Sequence, residues 1–182
     1  MPEARWIRLA KYLIVTGLFA FPMGAIAQGV GGQTLSPETV LSRATVVIAT
    51  VVAVIACVVV HYESLGFLTV RLRRIQLRPR PRILVLIFAI LLTHVAEIWI
   101  FGGAYFLLTV TEGHGALLAS HAMGFLDSIY FSAVCYTTLG LGDIIPAGAI
   151  RFLVGTETLT GFVLITWSAS FTFVEMERFW RA

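Results

Sequence analysis

Apolar residues fall in long blocks along this chain, and most of the charge lies in the breaks between them. A helix needs about 20 mostly apolar residues to cross the hydrocarbon core of a bilayer. Four stretches reach that length: about Trp6 to Ala27, about Val40 to Val60, Ile83 to Val110, and about Ala149 to Val174. Ser36-Pro37-Glu38 introduces the second as an N-cap, a first-turn proline and a first-turn acid. Between the third and fourth, Thr111 to Gly148 is neither a span nor a polar loop. Gly113-His114-Gly115 and Ser120-His121 read as loop. Phe125 to Thr137 reads as an amphipathic helix too short to cross, and Gly140-Leu141-Gly142-Asp143 with Pro146 breaks it. This order predicts a re-entrant loop. Non-helical backbone at membrane depth survives only where it lines water or is buried in protein, so the pattern asks for a pore.

The first stretch has two readings. Arg5, Arg8 and Lys11 form a basic leader, Tyr12 to Phe21 an apolar core, and Ala25-Ile26-Ala27 a small-residue cleavage signature. Residues 1–28 are therefore a first transmembrane helix or a signal peptide. Either way the leader stays inside, and Gly29 to Ser36 emerges outside. Residues 29–64 form the outer loop and second transmembrane helix, and 65–82 a cytoplasmic linker. Residues 83–182 form a pore unit: outer helix 83–110, short helix 125–137, extended segment 138–143, inner helix 149–174 and a short cytoplasmic tail.

Charge supports this orientation. Arg71, Arg73, Arg74, Arg78, Arg80 and Arg82 are six of the thirteen basic residues and fall between the second and third spans. Such clusters mark cytoplasmic loops beside anionic lipid. Their three- and four-residue spacing invites a voltage-sensor reading, but Pro79, Pro81 and the surrounding arginines describe a solvated linker instead. The chain is 58% hydrophobic and 13% charged, with mean hydropathy +0.90, more apolar surface than a soluble domain of this length can hide. No basic–aromatic interleaving suggests nucleic acid. Cys57 and Cys135 sit in apolar segments, which argues against a disulfide or metal cluster. No nucleophile–base pair, metal cluster or phosphate loop supports an enzyme.

Phe125 to Asp143, FLDSIYFSAVCYTTLGLGD, resembles the pore helix and selectivity filter of the two-transmembrane potassium-channel pore module. The likeness extends from about Ile83 to Trp180. It is similar to small bacterial ion channels whose outer helix carries H-x-x-E and an aromatic run, here His94-Val95-Ala96-Glu97 and Trp99 to Tyr105. The resemblance implies an all-α membrane protein, a helical bundle with a re-entrant pore helix and filter loop, assembled as a homotetramer in a bacterial plasma membrane. It implies passive potassium transport, with Thr138, Leu139, Gly140, Leu141 and Gly142 holding the ions and no other cofactor. Tyr130, Phe131, Thr137 and Asp143 would support the filter. A weakly selective cation channel and a non-conducting accessory subunit are the alternatives.

The chemistry explains the residue types. A dehydrating cation must meet rings of oxygen dipoles, and four chains must contribute, because each loop supplies one carbonyl per ring. Alternate residues must tolerate unusual dihedrals, the role of Gly140 and Gly142. The short helix would aim its partly negative C-terminus at the cavity. Departures bear on selectivity: Leu141 replaces the filter tyrosine, Leu139 the valine and Cys135 the first threonine. Val134 stands where some members hold a glutamate, which leaves Asp143 to lean on Tyr130.

Around the filter, Gly161 suits a hinge or a close-packing site. Inner-helix spacing places Ile165, Ala169 and Phe173 toward the cavity, with Phe173 a candidate hydrophobic gate; alternatively Phe171 and Phe173 face lipid or a neighbouring helix. Glu175 and Glu177 would concentrate cations at the inner mouth or cap the helix near Arg178. His94, Glu97 and Glu157 are ionisable residues inside spans, which defaults to a functional reading. His94 and Glu97 share a helix face, and Glu157 could reach them or the back of the filter. The group reads as a proton-sensitive network or as a polar cluster fastening outer to inner helix.

Overall fold

The computed structural model describes residues 36–74 and 79–180. The first stretch, residues 1–28, lies outside them, as do Arg78 and the side chains of Arg73, Arg74 and Arg80. Helix α1 spans Pro37–Arg74, and helix α2 spans Pro79–Val110. Strand β1, Ala116–Leu118, precedes the short helix α3, Phe125–Tyr136. Strand β2, Ile145–Ala147, leads through a 3-10 turn, Gly148–Ile150, into helix α4, Arg151–Trp180. α1, α2 and α4 are each long and apolar enough to cross a membrane, while α3 is not. The architecture is an all-α membrane bundle with one small strand pair.

α1 begins as its sequence suggests. Ser36 Oγ accepts the Thr39 N–H at 3.3 Å, Pro37 takes the first helical position and Glu38 the first turn. Its buried stripe is Val46, Thr50, Ala53, Cys57, His61, Leu65, Leu68 and Leu72, spaced three or four apart. Ile48, Val52, Ile55, Val59 and Tyr62 are exposed on the other side. The stripe does not stop at residue 64. Leu65, Leu68 and Leu72 pack with Leu86 and Ile90 of α2 into a second core cluster that Phe171 of α4 also touches. The expected linker over 65–82 is therefore mostly helix, with α1 continuing to Arg74 and α2 starting at Pro79. Arg82 donates to the Leu72 carbonyl and ties the two helix ends together, while Arg71 stacks over Phe67 at 5.2 Å. The inner helix likewise runs past Val174 to Trp180.

α2 lies antiparallel to α1 and α4. Ser42 near the start of α1 donates to the Gly113 carbonyl beyond the end of α2 at 2.5 Å, while His61 meets Ser168 far along α4. The strands pair antiparallel, Ala116 opposite Ala147 and Leu118 opposite Ile145, and so join the loop before α3 to the segment after the glycine-rich stretch. At Gly115, with φ +115°, a Cβ would meet the Ala147 carbonyl at 2.4 Å, so only glycine fits. α3 sits between α2 and α4, its core side formed by Phe131, Val134, Cys135 and Tyr136. Two glycines permit this seating. A Cβ on Gly102 of α2 would lie 2.9 Å from the Ile129 Cα, and one on Gly161 of α4 2.2 Å from the Tyr136 carbonyl oxygen.

Candidate pore loop and the polar cluster beneath it

α3 starts at Gly124, whose N–H donates to Asp127 Oδ2 at 2.7 Å, with His121 Nε2 3.3 Å from Oδ1. The Gly124 N–H, and after it His121, hold the Asp127 carboxyl below its ordinary range. The other end is unusual. Thr138 N–H donates to Cys135 O at 3.0 Å, and Leu139 and Gly140 N–H donate to Val134 O at 3.0 and 3.3 Å. The backbone donors that follow the helix thus turn back onto it. Thr138, Gly140 and Gly142 have φ of 61°, 60° and 78°, whereas Leu139 and Leu141 between them do not enter the left-handed region. Uniform extended dihedrals point successive carbonyls to opposite sides; alternation of sign lets them share one side. Thr138 is the single non-glycine residue with positive φ among the described residues, a conformation that costs about 1–2 kcal/mol. Among the described residues, no backbone N–H bonds to a carbonyl of residues 138–142. Thr137 to Asp143 are exposed throughout this single chain.

Tyr130 donates to Asp143 Oδ2 at 2.7 Å, which spans the loop from helix to exit. Phe131 is buried and stacks edge-on against Tyr105. Thr137 Oγ1 donates to Ala133 O at 2.7 Å. Leu139 and Leu141 are 62% and 59% exposed, so the described residues leave most of each side chain uncovered.

Two buried glutamates hold α3 from behind. Glu157 of α4 accepts from Tyr105 of α2 and lies 2.5 Å from Ser132 Oγ of α3. Ser132 also has Ile98 O within 2.9 Å, two acceptors for one proton. Glu97 of α2 lies deeper, at the foot of α3. It receives Tyr136 O–H and contacts two imidazoles, His94 Nδ1 at 3.0 Å and His61 Nδ1 at 2.9 Å. His94 and Glu97 do meet on one helix face. Glu157 does not join them; it goes to the back of the pore helix. His61, Ser132, Tyr136 and Ser168 were not singled out from the sequence, and Tyr105 entered only as the end of an aromatic run. His61 closes what reads there as the end of a span, and the hydroxyls find partners only through tertiary packing.

The remaining candidates separate. Gly161 is a close-packing site, pressed on the Tyr136 carbonyl. Ile165, Ala169 and Phe173 are exposed on the single chain, whereas Phe171 packs inward. Glu175 is buried against Arg178 at 2.8 Å, which corresponds to the capping reading rather than an open acid at the inner mouth.

A half-membrane helix held between two spanning helices, followed by backbone of alternating handedness, is the architecture of a pore-loop membrane protein. Residues 82–178 match the family model described as ion channel, and the chain belongs to that family. No curated protein and no solved structure matches it.

Proposed function

We propose that four copies of this chain surround an axis and conduct potassium through rings of carbonyl oxygens from Thr138, Leu139, Gly140, Leu141 and Gly142. The observation that carries this reading is the alternation of positive φ at residues 138, 140 and 142, with the first N–H groups of the segment tied to α3. Four chains follow from the chemistry, because one carbonyl per level cannot replace a hydration shell. The exposed Leu139, Leu141 and Phe173 of the single chain are apolar surface that neighbouring copies would cover. Phe173 is then the constriction of the inner mouth. The basic end of α1 and start of α2 face the cytoplasm of a bacterial plasma membrane, where Arg71, Arg73, Arg74, Arg78, Arg80 and Arg82 meet anionic headgroups.

Leu141 favours a second reading, a weakly selective cation pore, because a leucine offers no hydroxyl to brace the filter. Reconstitution in liposomes distinguishes the readings. A reversal potential that follows the potassium gradient in mixed potassium and sodium is the expected outcome. A potential near zero with potassium opposite sodium establishes the weakly selective pore. No flux at several voltages and pH values overturns conduction and leaves an accessory subunit. Native mass measurement of the detergent-solubilised protein tests the tetramer.

A further inference from the structure

The cluster at the foot of α3 has a composition that anchoring alone does not require. Glu97 is fully buried, and its two oxygens face imidazoles from two different helices, His61 Nδ1 at 2.9 Å and His94 Nδ1 at 3.0 Å. One ligand atom from each of the three lies within 4.8 Å of the others. The Tyr136 hydroxyl closes the remaining side, touching Glu97 and lying 2.9 Å from His94 Nδ1. We propose that His61, His94 and Glu97 bind a transition-metal dication of the zinc class, clamping α1 to α2 behind the foot of the pore helix.

The donor set selects the ion. Two imidazole nitrogens and one carboxylate suit zinc and its neighbours, whereas magnesium and calcium favour all-oxygen sites. Tetrahedral bonds of about 2.0–2.1 Å place ligand atoms about 3.3 Å apart. His61 Nδ1 lies 2.9 Å from Glu97 Oε1 and His94 Nδ1 3.0 Å from Oε2, and with one atom taken from each residue the widest separation is within 4.8 Å. A closing movement of about 1.5 Å or less, within reach of imidazole rotation, completes the triangle.

The surroundings supply the outer partners such a site needs. A metal on Nδ1 leaves the ring proton on Nε2, and His61 Nε2 lies 3.4 Å from Ser168 Oγ of α4, which accepts it. Tyr136 O–H donates to the ligating carboxylate or to a water in the fourth position. His94 is the one partly exposed ligand, 14% accessible, and marks the entry edge. Without metal the same atoms hydrogen-bond one another, so the bundle stands in both states. The ion adds a bond between α1 and α2 whether or not the pore conducts.

Cobalt titration of the full chain in detergent, after removal of metal by chelator, tests the site. The expected result is one cobalt per chain, with the strong visible bands of tetrahedral nitrogen–oxygen coordination, displaced by zinc. His61→Gln and His94→Gln each weaken binding by at least about 100-fold, and Ser168→Ala by about 10-fold, the range for lost outer partners. His114→Gln and His121→Gln, in the outer loop, leave the stoichiometry at one. Wild-type protein that takes up no stoichiometric cobalt, or a His61→Gln/His94→Gln chain that still binds one, overturns the proposal. Should those variants fail to assemble, the wild-type thermal midpoint decides. A rise on adding zinc supports the site, and an unchanged midpoint at saturating micromolar zinc overturns it.

Discussion

Glu157 and Glu97 are both fully buried acids that grip the same short helix, yet their partners differ in kind. Glu157 faces two hydroxyls, Tyr105 and Ser132, which can each turn to donate or accept. Glu97 faces two imidazoles and a phenol; each imidazole donates to a carboxylate only in the tautomer that carries its proton on Nδ1. The first arrangement is a pin that tolerates a change of proton count. The second is specific to an anion and to whatever cation shares its donors. Burial alone therefore does not make an intramembrane acid reactive; the adaptability of its neighbours decides.

Isosteric amides separate the two most sharply. Glu97→Gln turns an NH2 toward the imidazoles, removes the charge that their N–H groups and the Tyr136 hydroxyl serve, and forces at least one imidazole to change tautomer inside the bundle, a loss of about 1–3 kcal/mol. Glu157→Gln offers its NH2 to Ser132, which then gives its proton to the Ile98 carbonyl, at a cost of about 1 kcal/mol or less. Thermal unfolding of the two variants side by side checks the ranking, and equal destabilisation breaks it. An effect of similar size is at Gly161. Gly161→Ala drives a Cβ into the Tyr136 backbone, where no rotamer gives relief, and costs about 1–3 kcal/mol with a shifted filter. An unchanged midpoint together with unchanged current contradicts the close packing.

Smaller effects belong to the outer end of the loop. Tyr130→Phe removes the bond to Asp143, leaves folding intact and, for the potassium-selective pore proposed above, moves the reversal potential toward sodium. Asp127 yields the smallest signal. Its carboxyl is held below the ordinary value by Gly124 and His121. The cap therefore contributes fully above the unfolded carboxylate pKa, and its contribution is lost as pH falls through the lower, folded value. Asp127→Asn removes this acid-side dependence, which hydrogen exchange at the start of α3 reports.

Most of the bundle was legible because hydropathy and glycine placement are local properties. The three described spans, the short helix at Phe125 and the break at Gly140 and Gly142 follow from neighbouring residues alone. The end of α1 did not, because His61-Tyr62-Glu63 and the arginines lower the hydropathy while Leu65, Leu68 and Leu72 keep the helical stripe going. The limit of an apolar span is not the limit of a helix. The His94–Glu97 contact was readable from its three-residue spacing, but His61 is joined to Glu97 only by the pairing of α1 with α2. The strands at Ala116 and Ile145 are three residues each, below any usable alternation, and depend on the pore loop to bring them together.

The His61–Glu97 contact also bears on how the protein is made. α1 leaves the ribosome before α2 and α4, so His61 enters the bilayer before Glu97 and Ser168 are there to meet it, and Glu97 follows with His94 three residues before it. An ionisable side chain in a lone span is costly to hold in the bilayer. That cost falls once the second helix arrives against the first. The pair thus favours closing the α1–α2 hairpin as soon as both helices are in the bilayer.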